Sequence, residues 1–434
     1  MWARTLDRPM RRKVTRSPEI GALRALTPDG RRLFLTRAIR LFAYGLLAVI
    51  LALYLVERSL SAEQIGLVLS ATLAGDAAIT LLLTTRADRF GRRRTLLIGC
   101  GLMVSGAVVF ALTDNLAILI VAAILGVISP SGSEVGPFQA VEHAALPETA
   151  PDELRTQVFA WYNLVGSLAT AIGSFVGGTI AQIMLATGAT PLESYRAIVL
   201  AYAACGGVLA LVFLSLTERV EASRTNTRPA TGWLGLHRSR NVVLRFAGLS
   251  MVDSFGGGLV LQSLMAYWLH LQFGVAPAAL GAIFFGTNLL AAFSALLAAR
   301  IAAWIGLLET MVYTHIPSNV LLILVPLMPT LPLAIVVLLL RATLSQMDVP
   351  TRQSYLVAVV DPDERAAASG VTTMGRTMGS AAAPALSGLL FAVGLVAVPF
   401  YAAGAIKIAY DLEMLRAFRG LRPPEERIGS RCAD

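Results

Sequence analysis

Hydrophobic residues in this chain come in long unbroken blocks, and not in the alternation of a half-buried strand or the one-sided stripe of a surface helix. The first block runs from about Leu33 to Val56 and the second from about Gln64 to Thr85; a basic connection follows, and a third block ends at Leu112. Three more cover Leu116 to Ala145, the stretch after Pro151-Asp-Glu up to Ile183, and Tyr195 to Leu216. Beyond a polar stretch, six further blocks lie near residues 241–271, 276–300, 307–328, 331–360, 364–395 and 397–418. Each is about 20 residues or more, the length at which a helix crosses a ~30 Å hydrocarbon core. The pattern predicts twelve transmembrane helices and an all-α membrane protein.

The polar segments divide the chain into a basic tail (1–32), a first set of six spans (33–216), a linker (217–240), a second set (241–418) and a polar tail (419–434). Composition agrees: 56% of the 434 residues are hydrophobic and 15% are charged, against roughly 25% charged in a soluble chain. The net charge of +9 would suggest nucleic acid in a soluble protein. Here the arginines gather in the two tails, the connection between spans 2 and 3 and the linker, where the positive-inside rule accounts for them. Both termini are therefore expected on the cytoplasmic side of a cytoplasmic inner membrane, which an even number of spans allows. No nucleic-acid partner is expected.

The two halves repeat each other. Glu134-Val135 is followed by Gln139 just as Asp348-Val349 is followed by Gln353, at one constant separation along the chain. Helix-breaking residues accompany both sets: Pro130, Gly132, Gly136 and Pro137 in span 4, and Pro350 in span 10. Pro151-Asp-Glu-Leu-Arg155 is echoed by Pro362-Asp-Glu-Arg365. Six spans repeated in one orientation imply two bundles related by a pseudo-two-fold axis along the membrane normal, and matched breaks in the two halves point to a transporter's binding site.

Several ionisable residues fall deep inside the spans: Asp76, Glu134, Asp253 and Asp348 among the acids, and Arg40, Arg341, Arg352 and Arg376 among the bases. Each costs at least ~2.5 kcal/mol to insert, so it needs a wet cavity or a partner. The functional reading makes the four acids candidates for proton coupling and the deep arginines, with Gln139, Asn163, Gln353 and Tyr355, candidates for a substrate cavity. The structural alternative is ion pairing alone, since Asp348 and Arg352 stand at i and i+4, and Arg40 has the length to snorkel to the inner surface. No catalytic triad, phosphate loop or metal-ligand spacing is present in the sequence, so neither enzymatic activity nor a cofactor is expected.

The connection Thr84-Thr-Arg-Ala-Asp-Arg-Phe-Gly-Arg-Arg-Arg-Thr-Leu96 resembles motif A of the major facilitator superfamily, matching it at Ala87, Asp88, Arg89, Gly91, Arg92, Arg93 and Leu96. Thr84 and Arg86 replace the expected glycine and leucine. The resemblance implies a conformational gate at Asp88, Arg89, Gly91, Arg92 and Arg93, acting on the start of span 11 near Asp363 and Glu364; the alternative is that the arginines only fix topology. Gly173-Ser-Phe-Val-Gly177-Gly178 in span 5 is similar to motif C of the superfamily's antiporters, with serine in place of proline, and its counterpart in span 11 retains Pro384. Small residues at this spacing also serve close helix packing. The motifs sit nearest the drug/proton antiporter-like branch, although span 4 lacks the arginine many exporters of the superfamily carry. The resemblance implies a secondary transporter, a monomer, that moves a small solute by alternating access. Proton-coupled efflux is the leading expectation; the alternatives are import or exchange of a small anion and a non-transporting sensor or scaffold.

Overall fold

The computed structural model describes residues 25–149, 151, 154–221, 236–361 and 363–421. Most of the basic tail, residues 222–235 of the linker and the end of the polar tail lie outside the described residues, as do Asp152, Glu153 and Pro362.

Fifteen α-helices build the described chain, and they group into twelve spans. The first half contains α1 (Pro28–Glu57), α2 (Ala62–Phe90), α3 (Arg92–Leu112), α4 (Leu116–Leu125), α5 (Phe138–Ala145), α6 (Arg155–Ala186) and α7 (Pro191–Leu214). The second contains α8 (Arg240–Leu259), α9 (Gln262–Phe273), α10 (Pro277–Ile305), α11 (Leu307–Leu324), α12 (Leu331–Ala342), α13 (Asp348–Val359), α14 (Arg365–Ala392) and α15 (Val398–Phe418). Among the described residues, eight helical stretches are long and apolar enough to cross a membrane, α8 and α9 counting together as one, with Leu116–Leu125 and Leu331–Ala342 as shorter apolar pieces.

Local chemistry sets the ends. Thr27 Oγ1 accepts the Gly30 N–H, and Pro28 opens α1, so span 1 begins several residues before its apolar block. Capping boxes pair Ser61 with Gln64 at α2 and Thr190 with Glu193 at α7.

Three spans are discontinuous. Span 4 unwinds over residues 126–137, between α4 and α5, and span 10 over residues 343–347, between α12 and α13. Span 7 also breaks, at Val260 and Leu261, where the sequence reading had one continuous helix. The run Gly256-Gly257-Gly258 immediately precedes that break and weakens the helix. Pro350, expected to interrupt span 10, sits in the first turn of α13, where a missing N–H costs little. Pro384 lies inside α14 without ending it, and the N–H of the next residue, Ala385, donates to Ser70 Oγ at 2.9 Å.

The halves meet through α2 against α14, α6 against α10, and α1 against α9. These contacts use glycine. A Cβ on Gly66 would lie 2.4 Å from Pro384 O, and one on Gly178 would lie 2.2 Å from Pro277 O. Gly66 and Gly178 both stand at the span ends remote from the two termini. Hydrogen bonds across the same layer run from Ser263 N to Pro130 O at 3.1 Å and from Gln262 Nε2 to Ser174 Oγ at 3.3 Å. The molecule is thus joined on the face away from its termini.

Candidate functional site

The unwound part of span 4 is irregular backbone at membrane depth, and each of its polar groups needs a partner inside the protein. Tyr44 OH donates to Val135 O at 3.0 Å, Tyr202 OH to Val127 O, Ser263 Oγ to Pro130 O and Thr170 Oγ1 to Gly132 O at 3.3 Å. Asp76 Oδ1 accepts the Gly136 N–H and, at 3.2 Å, the Thr80 hydroxyl. Gly132 and Gly136 have φ of +68° and +79°, conformations that favour glycine. Spans 1, 2, 5, 6 and 7 therefore hold this one segment in place, which sets Glu134 into the interior.

Glu134 meets two arginines of α1. Arg37 donates to Oε2, and Arg40 Nε lies 2.6 Å from Oε1. Arg40 also forks onto Glu142, Nη1 to Oε1 at 2.9 Å and Nη2 to Oε2 at 2.6 Å, while Thr36 and Tyr162 hydroxyls donate to the same carboxylate. Arg37 stacks over Tyr162 at 4.6 Å and Arg40 over Phe138 at 4.9 Å. Arg40 is fully buried, so it does not snorkel. The cluster holds two acids and two bases, and formal charge is balanced.

The second half holds a larger counterpart. Asp253 of α8 receives Lys407 Nζ at 2.6 Å, Arg376 Nη1 at 3.0 Å and Arg352 Nη1 at 3.1 Å. Arg352 also binds Asp348 at 2.9 Å, the i,i+4 pair, and His315 Nδ1 binds Asp411 Oδ1 at 2.8 Å. Three carboxylates face two arginines, one lysine and one histidine. Arg376 is its most exposed member: its side chain is 33% exposed, against 3% for Asp253.

The matched breaks of spans 4 and 10 do not bring Glu134 and Asp348 together: each acid is bonded to cations of its own half. The reason is electrostatic: a carboxylate taken out of water needs a counter-charge, and a guanidinium one turn away or on an adjacent span of the same half is within reach. Sequence reasoning missed Arg37, Glu142, Lys407 and Asp411, and it leaves His315 as a lone histidine with a packing role. Arg37 and Glu142 lie near predicted span ends, and Lys407 and Asp411 only gain meaning through Asp253 and His315 on other helices.

The remaining candidates spread out. Tyr355, assigned to a cavity, is buried, and its hydroxyl donates to Leu421 O at 2.7 Å and Phe418 O at 3.2 Å, anchoring the end of α15. Gln353 and Asn163 are exposed, and Gln139 is half-buried. Arg341 is half-buried, with a buried Nε that has no hydrogen-bond partner among the described residues.

At motif A, Gly91 takes φ of +99° between α2 and α3. The N–H groups of Arg92 and Arg93 donate to Glu221 at 2.6 and 3.2 Å, so an acid after span 6 caps the start of α3. The expected partner Glu364 is otherwise engaged. It accepts the N–H groups of Arg238 and Ser239 at 2.7 and 2.8 Å and that of His237 at 2.5 Å. Side chains of Asp88 and Arg89 lie outside the described residues. The motif C-like glycines pack closely: Gly173 against Phe42 O, Gly177 against Leu46 O and Gly178 against α10.

Two six-span sets with discontinuous helices and charged clusters at depth are the architecture of a membrane transporter. The chain belongs to the major facilitator superfamily, whose family profile matches residues 33–345. A Saccharomyces cerevisiae protein described as uncharacterized membrane protein YJR124C is 31% identical over 93% of this chain and 97% of its own length. The solved structure of a bacterial homolog of the human lysosomal transporter Spinster, inward-facing and unoccupied, is similar at a TM-score of 0.70, with 16% identity over 94% of this chain and 99% of that one. The human organic anion transporter MFSD10 is similar at 0.63, with 18% identity over 89% of this chain and all of that one.

Proposed function

We propose that this protein is a proton-coupled secondary transporter that exports a small organic solute. The observation that carries the reading is the pairing of broken spans 4 and 10 with one charge-balanced cluster in each half. A closed layer lies on one side of both clusters, and the terminus-bearing face lies on the other. With both termini cytoplasmic, as the arginine distribution argues, this is the inward-facing state of a monomer in a cytoplasmic membrane. Motif A, at Asp88 to Arg93, acts as the gate that engages span 11 when the protein turns outward.

Asp76 is the proton acceptor favoured in the first half. It is the acid whose neutralisation breaks no ion pair among the described residues, and it holds Gly136 N in the unwound segment. Protonation weakens that bond, because a neutral carboxyl is a poorer acceptor than a carboxylate, and so loosens span 2 from the break in span 4. Export rests on the motif C-like run alone. The test is a thermal-shift screen for ligands, followed by flux of the best ligand in proteoliposomes. Asp76→Asn is expected to abolish acceleration by a pH gradient while retaining gradient-free counterflow; full gradient-driven flux in that variant refutes the assignment.

One observation favours a second reading, import or exchange of a small anion: the partly exposed Arg376 at the edge of the Asp253 cluster. Labelled-anion counterflow that survives Arg352→Ala with Arg376→Ala removes it.

A further inference from the structure

His315 occupies an unusual place. Its Nδ1 lies 2.8 Å from Asp411 Oδ1 and its Nε2 lies 3.9 Å from Asp253 Oδ1, so one imidazole bridges two buried carboxylates on different helices. The first contact is a hydrogen bond, and an ionised carboxylate only accepts. With Asp411 ionised, Nδ1 carries the hydrogen and Nε2 presents a lone pair towards Asp253. Asn319 Nδ2 donates to the other oxygen of Asp411 at 3.2 Å and orients that carboxylate.

Resting on the proton-coupled reading above, we infer that His315 Nε2 is the proton-binding atom of the second half. Every charged or titratable group facing it bears on this. Asp253 comes from α8, Asp411 and Lys407 from α15, Arg352 with Asp348 from α13, and Arg376 from α14. Tyr410 of α15 sets its ring edge-on, with centroids 6.2 Å apart. With neutral imidazole the three acids and the three cationic side chains cancel. A proton added at Nε2 makes the group singly positive and places a fourth cation beside Asp253. That carboxylate then holds Arg376 less strongly, and Arg376 is the partly exposed member. Proton uptake thus loosens Arg376 from the cluster.

A second observation points the same way. Asn319 Oδ1 and Ser318 Oγ, one turn along α11 from His315, and Ser250 Oγ and Ser254 Oγ, flanking Asp253, are buried and make no hydrogen bond among the described residues. Such atoms are the donors and acceptors that water-borne proton movement uses.

The chain has four histidines, which makes the test direct. Full-length protein with nitrogen-labelled histidine, reconstituted in nanodiscs, is followed by NMR from about pH 5 to pH 8, the range in which imidazole titrates. Replacing His143, His237 and His270 by Gln identifies the His315 signals without altering that residue. The expected result is that Nε2 passes from unprotonated to protonated as pH falls while Nδ1 stays protonated, and that Asp411→Asn displaces the midpoint. An Nε2 that keeps one state across the range, or an Nδ1 without its hydrogen, overturns the inference. The coupling reading is separately exposed: if His315 titrates and a pH gradient drives no flux, proton coupling fails and the proton site stands.

Discussion

Arg40 is the best place to test whether the first cluster is a coupled electrostatic unit or a set of independent contacts. Its guanidinium is fully buried and makes one bond to Glu134 and two to Glu142, at 2.6, 2.9 and 2.6 Å. Arg40→Met keeps most of the side-chain volume and leaves Glu142 buried, with only the Thr36 and Tyr162 hydroxyls as donors. Removing one partner of a buried ion pair costs about 3–5 kcal/mol, or roughly two to four powers of ten in the folding equilibrium. Arg37 remains bound to Glu134, which argues for the lower end. Glu142→Gln alone strands the guanidinium less, because Glu134 still binds it. In the double variant both unpaired charges are gone, so the loss is expected to fall well below the sum of the two singles. The assay is equilibrium unfolding in mixed micelles with a double-variant cycle. A coupling energy under about 0.5 kcal/mol, the additivity expected of independent sites, refutes the cluster as a unit.

Other outcomes follow from the same geometry. Lys407→Met removes the shortest bond to Asp253 but leaves Arg352 and Arg376; a loss of about 1.5–3 kcal/mol, largely restored by Lys407→Arg, is expected in the same unfolding assay. Gly178→Leu puts a side chain where a Cβ already lies 2.2 Å from Pro277 O, so spin-label distances between the terminus-bearing ends of the two halves are expected to shorten as the opposite face is wedged apart. An unchanged distance distribution counts against that face as the closed one. Burial pushes the Glu364 carboxyl up, but the N–H groups of residues 237–239 outweigh it and hold the acid down at about 2. Its contribution to stability is then present above the ordinary carboxylate range and lost as pH falls towards 2. Wild type and Glu364→Gln are expected to differ in melting temperature at neutral pH and to converge under strong acid.

The identity of each span followed from block length alone, because lipid forces every backbone group into an internal bond and leaves the helix as the solution for an apolar run of this length. The breaks in spans 4 and 10 were visible as matched glycines and prolines. The break in span 7 was not, although three consecutive glycines precede it. Motif A was legible as a motif, and its partner was not: Glu221 and Glu364 each cap a helix start of their own half.

What the chain order alone determined is the set of spans, their repeat and the depth of each charge, since these depend on local composition and on counting residues along a helix. Pairing was decided by the tertiary structure. Whether Glu134 bonds Arg37 and Arg40, or Asp253 gathers Lys407, Arg352 and Arg376, depends on how helices far apart in sequence are rotated against one another. A buried charge takes whatever counter-charge that rotation brings within about 3 Å, and sequence spacing reports such proximity only inside one helix, as it did for Asp348 and Arg352.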